Sequence, residues 1–256
     1  MKEIKYLSHL SRNMYMYFLL CITLDLIFSF PLPINTFLYG LLTFSIAYAP
    51  VYFFNDFSDW KEDVKYKKAN LIVTIHNAKR FWILSSTLII GGLILSLLLS
   101  KESVLFLLIL YFSNYLYSFK PFRLRDQFLL REITIFIIYA VKLFYVASLI
   151  HFPLTQLPLP IIIMSSATAA LAVSLYKRHI ERQKLIEYLF GSIFFMAWLT
   201  TILVYKQIFF LFFPLVFAIG YLYFKYKDKQ IPIGQYQTLY FFYTIFIWII
   251  FQKITI

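Results

Sequence analysis

Nine apolar runs separated by short polar segments fix the solvent this chain can fold in. They fall at about 14–30, 36–54, 81–100, 104–118, 128–150, 161–176, 186–204, 208–224 and 236–251. A hydrocarbon layer about 30 Å thick takes about 20 apolar residues per helix. A helix also satisfies its own backbone hydrogen bonds in lipid, so each run reads as a spanning helix. With 61% hydrophobic and 14% charged residues, a water-soluble globule is excluded. The predicted fold class is all-α: a polytopic membrane helical bundle of nine transmembrane helices, forming a single domain over residues 1–256.

Charge is distributed on one side of that bundle. With alternating loops, 20 of the 24 basic residues fall on the side of the N-terminus, and only Lys101, Lys206 and Lys253 on the other, with Lys142 inside a span. The positive-inside rule makes the first side cytoplasmic. The net charge of +12 then reads as a membrane-anchoring, anion-attracting face, with the lipid bilayer and not nucleic acid as its partner. The lone cysteine, Cys21, has no internal disulfide partner.

At the cytoplasmic end of the second span stands Asn55-Asp56-Phe57-Ser58-Asp59-Trp60-Lys61-Glu62-Asp63. On a helix, Asp56, Asp59 and Asp63 fall within about 60° of one another, and Asn55 lies one turn before Asp59. Crowded carboxylates repel, so a positive group belongs between them, and hard oxygen ligands suit Mg²⁺ carrying phosphate oxygens. A solvated helix end neutralised by Lys61, Lys65 and Lys67 is the plainer account of such a cluster. Four of only twelve acidic residues at the mouth of a membrane bundle favour a site.

The fourth span carries a polar stripe, Asn114, Tyr117, Ser118 and Pro121, which in lipid must face the bundle interior. It ends in Lys120, Arg123 and Arg125, donors suited to phosphate. Asn-Asp-x-x-Asp-x-x-x-Asp at 55–63, followed two helices later by Tyr117-Ser118-Phe119-Lys120-Pro121-Phe122-Arg123-Leu124-Arg125, resembles two motifs of the UbiA-type intramembrane prenyltransferases. The order, spacing and topology agree over nearly the whole chain. The resemblance implies a Mg²⁺-dependent prenyltransferase moving a prenyl group from an allylic prenyl diphosphate to a lipophilic, aromatic acceptor. Asp56, Asp59 and Asp63 are then the catalytic acids and, with Asn55, the metal ligands. The polar stripe (Asn114, Tyr117, Ser118) and the basic residues (Lys120, Arg123, Arg125) bind substrate.

Two departures from that pattern matter. The family's second aspartate-rich motif corresponds to Tyr176-Lys177-Arg178-His179-Ile180-Glu181-Arg182-Gln183-Lys184, where Glu181 alone keeps an acidic ligand and His179 and Gln183 stand at the aspartate positions. Arg178 and Arg182, one turn apart, then supply positive charge to the diphosphate. After Asp63 the chain has Lys67-Lys68 where the family commonly continues to an Asn-Arg-Pro turn, and either lysine suits diphosphate capture. The lost acids favour a non-catalytic binder of prenyl diphosphate or polyprenyl phosphate; the intact first motif favours the enzyme. A terpene cyclase shares the ionisation step, whereas six glycines and no paired interrupted spans speak against a transporter. Two charges inside spans, Asp25 and Lys142, are expected to face the interior and pair.

Overall fold

A computed structural model of the chain describes residues 14, 17, 18, 20–22, 24, 30, 32–65, 78–176 and 183–206. Six long helices run through them: α1 (Ile34–Lys65), α2 (Ala78–Leu99), α3 (Lys101–Ser118), α4 (Leu130–Leu149), α5 (Leu159–Tyr176) and α6 (Gln183–Tyr205). Short 3-10 turns at Leu124–Asp126 and Leu154–Gln156 flank α4, the described positions from 14 to 24 are helical, and no strand occurs among the described residues. The second to seventh predicted spans each coincide with one helix. The two spans predicted at 208–224 and 236–251 lie outside the described residues, as do most positions of the first, Asp25 among them.

The apolar stretches Ile34–Asp59, Trp82–Leu99, Leu130–Leu149 and Lys184–Tyr205 are long and apolar enough to cross a membrane. Many of their large side chains, such as Leu42, Leu97, Leu98 and Leu203, point outward exposed. Outward-facing leucine over whole helices is unfavourable in water and natural in lipid. The chain is therefore a helical membrane protein.

The described chain divides into two compact units. The first holds α1, α2, α3 and the segment Val141–Gln156. Its helices meet where small residues allow it: a Cβ added to Gly92 would lie 2.7 Å from the Ala47 Cα, so only glycine lets α2 approach α1 this closely. At the same point the Tyr111 hydroxyl of α3 donates to the Ala47 carbonyl at 2.6 Å. Just beyond it Pro50 brings no N–H, which takes from the Ile46 carbonyl its helical donor.

The α2–α3 corner is sealed by serines. Ser100 caps α3 by accepting from the Ser103 N–H at 3.0 Å, and the Ser103 hydroxyl donates to the Ser96 carbonyl at 2.8 Å. Ser96 and Tyr145 share a buried hydrogen bond of 2.7 Å. Lys142 is buried, its ammonium 4.2 Å from the centre of the Tyr48 ring. Ring faces attract cations, most strongly away from water, so this contact offsets part of the cost of a charge in a span.

In the second unit α5 packs on α6. Met164, Ala167, Ala170 and Leu171 of α5 meet Ile186, Phe190, Phe194 and Ala197 of α6, with Phe128 and Phe136 against the same core. Alanine on one helix and phenylalanine on the other is the small-against-large packing that lets membrane helices approach. At the start of α4, Glu132 is fully buried and Arg131 donates to its Oε1 through Nε at 2.6 Å. An acid in the first turn also meets the positive end of its own helix dipole.

Candidate active site

The predicted second span stops at Phe54, yet α1 continues unbroken to Lys65. Asn55, Asp56 and Asp59 thus project from a rigid helix, with Asn55 and Asp59 one turn apart on the same face. All three are half-buried. Asp63 also falls on α1, and its side chain lies outside the described residues.

Two elements of the first unit converge on that face. From the end of α3, the buried Ser118 hydroxyl donates to Asn55 Oδ1 at 2.5 Å. From the following loop, Arg125 forms an ion pair with Asp59 Oδ1, and Arg123 Nη2 stands 3.9 Å from the same oxygen. The Ser58 hydroxyl contacts that oxygen as well, at 3.3 Å, while donating to the Asn55 carbonyl at 2.9 Å. Among the described residues, the side-chain contacts of Asp59 therefore gather on Oδ1.

The loop owes its shape to local backbone bonds and an aromatic floor. Phe119 N–H bonds to the Tyr115 carbonyl at 2.9 Å, Arg123 N–H to Phe119 at 2.7 Å, and Asp126 N–H to Arg123 at 3.0 Å. The Lys120–Pro121 peptide bond is cis, and Arg123 has φ 39°, a left-handed conformation that costs a non-glycine residue about 1–2 kcal/mol. Phe119 stacks on Tyr115 at 5.2 Å and packs against Phe54 and Phe57, each at 6.0 Å. Phe57 in turn meets Trp82 edge-on at 4.8 Å.

Of the residues expected in the site, Asn55, Asp59, Ser118, Arg123 and Arg125 are brought into one network, with Asp56 on the adjoining helix face. Asn114 is buried one turn below Ser118, its amide donating to the Leu110 carbonyl at 2.7 Å, and Tyr117 is half-buried beside it. Lys120 is exposed and forms no ion pair among the described residues. Lys67, Lys68, Arg178, Glu181 and Arg182 lie outside the described residues. Among the described residues no three His, Cys, Asp or Glu side chains cluster as a metal site.

One member of the network was not anticipated. Asp126 Oδ2 lies 2.7 Å from Arg123 Nε, and its Oδ1 lies 3.8 Å from Arg125 Nε. The spacing Arg-x-x-Asp was visible in the sequence, but only the tight turn at Leu124–Asp126 brings all three charges together.

Apolar helices long enough to span a membrane, with an acid-and-arginine network at the end of one of them, define a helical membrane protein. Its fold is that of a UbiA homolog from Archaeoglobus fulgidus, whose solved structure superposes with a TM-score of 0.65. The match covers 94% of this chain and 98% of that one, at 16% sequence identity. No protein-family model matches the chain, and no curated protein matches it by sequence.

Proposed function

We propose that the protein is an integral-membrane prenyltransferase of the UbiA type, transferring a prenyl group from an allylic prenyl diphosphate to a lipophilic, aromatic acceptor. The ion pair between Arg125 and Asp59 carries this reading. It joins an anion-binding loop to an acid-bearing helix at the end of an apolar span, and the fold shared with a UbiA homolog adds to it. A prenyl diphosphate has the matching shape: an apolar tail for the helices and a multiply charged head for the rim.

Asn55, Asp56, Asp59 and Asp63 would hold Mg²⁺, which fits their all-oxygen donor set at the end of an apolar span. When bound, Mg²⁺ supplies Lewis-acid stabilisation of the charge that develops on the leaving diphosphate. Arg123 and Arg125 bind and orient the diphosphate oxygens, and their fixed positive charge favours carbon–oxygen cleavage. Ser118 holds the Asn55 amide in place. Phe54, Phe57, Phe119 and Trp82 keep the apolar side of the loop out of water. Lys67 and Lys68 complete the head-group site in this proposal. The chain crosses the membrane several times as one domain, with this face in the cytoplasm.

The test is incubation of the purified protein with allylic diphosphates and Mg²⁺, measuring diphosphate release. Release should fall about a hundredfold or more in Asp59→Ala, the scale of losing one strong electrostatic contact. Equal release from both proteins would remove Asp59 from the mechanism. Binding without release by wild type would identify a non-catalytic binder, and a cyclic hydrocarbon formed with no acceptor would identify a cyclase.

A further inference from the structure

Two guanidinium groups of like charge share one carboxylate oxygen of Asp59, an arrangement that repels itself unless a second negative charge lies on the far side. Asp126 is that charge. One of its oxygens is 2.7 Å from the Nε of Arg123 and the other 3.8 Å from the Nε of Arg125. Neither contact is a hydrogen bond, so Asp126 acts on the pair by charge: a carboxylate beside both stems draws the two guanidinium groups to one side of the loop and leaves their Nη ends to face forward. Both Nη2 atoms do so, towards Asp59 Oδ1. The left-handed backbone at Arg123 and the turn at Leu124–Asp126 serve the same end, since they bring residues 123, 125 and 126 to one side of the loop.

We infer that Asp126 is a positioning residue for the diphosphate head group, holding Arg123 and Arg125 as an aligned pair. The inference rests on the proposed prenyl diphosphate site and adds a residue to it. Asp126 touches no reacting atom; its side chain is 52% exposed, and it acts through the two arginines.

The sign of its effect separates this role from plain charge. An acid close to an anion site repels the anion, so neutralising it should tighten binding if it served only as a charge. A positioning acid does the opposite when removed. The experiment is calorimetric titration of the full chain in detergent with inorganic diphosphate, with and without Mg²⁺. Asp126→Asn should weaken binding about tenfold, the lower end of what losing an orienting partner costs at such sites, and Asp126→Glu should recover most of it.

In an Arg123→Ala background the same Asn substitution should change binding by about threefold or less, because its nearest partner is gone. Unchanged or tighter binding in Asp126→Asn would overturn the inference and leave the proposed function standing. An equal loss in both backgrounds would overturn it as well, since Asp126 would then act by another route. If the wild-type chain takes up no diphosphate at all, the head-group site itself falls and the inference with it.

Discussion

The hydrogen bond from Ser118 to Asn55 ties the end of α3 to the acid-bearing turn of α1, and both residues were legible, Ser118 from its polar stripe on an apolar span and Asn55 from the acidic cluster that follows one. Asp126 was not legible, because an exposed acid in a loop carries no periodicity and gains meaning only from the turn that folds it back. Ser118→Ala removes the donor and leaves Asn55 Oδ1 facing a methyl group. The expected cost is about 1–3 kcal/mol of stability, read as a lowered midpoint of thermal unfolding in detergent. Arg123→Gly separates fold from binding. Glycine accepts φ 39° freely, and this relief offsets its larger unfolded-state entropy and the lost ion pair. Stability should therefore stay within about 1 kcal/mol of wild type while diphosphate binding weakens, as measured by melting and titration of the same preparation.

Helix positions were readable because apolar run length is a direct consequence of bilayer thickness. Helix ends were less so: α1 outlasts its apolar run by three turns, since the lysines, acids and aromatics that follow are all compatible with helix. Contacts between helices were not readable at all. Gly91 and Gly92 are adjacent and look equivalent in sequence, yet a Cβ at Gly92 meets the Ala47 backbone and one at Gly91 meets nothing within 4 Å. Gly92→Ala should lower stability by about 1–3 kcal/mol through overpacking. Gly91→Ala should raise it by up to about 1 kcal/mol through helix propensity. Thermal unfolding of the two single variants decides the matter, and equal effects would show that α1 and α2 are not in close contact at Ala47.

At the scale of the molecule, the one-sided distribution of basic residues predicts the sides of the membrane. Lys101 and Lys120 lie at opposite ends of α3, whose 18 residues span about 27 Å, close to the hydrocarbon thickness. With Cys21 replaced by alanine, a cysteine at Lys120 should react with an impermeant thiol reagent from the cytoplasmic side only, and one at Lys101 from the opposite side only. Labelling of both from the same side would refute the predicted topology. The ammonium of Lys142 adds a restriction of another kind. Sitting past the midpoint of α4 and resting on Tyr48, it makes lipid a forbidden direction for one edge of that helix. A cylinder of leucine and isoleucine could spin in the bilayer at little cost. This one has a keyway, cut by a single amine, that sets its rotation before any neighbouring side chain interlocks.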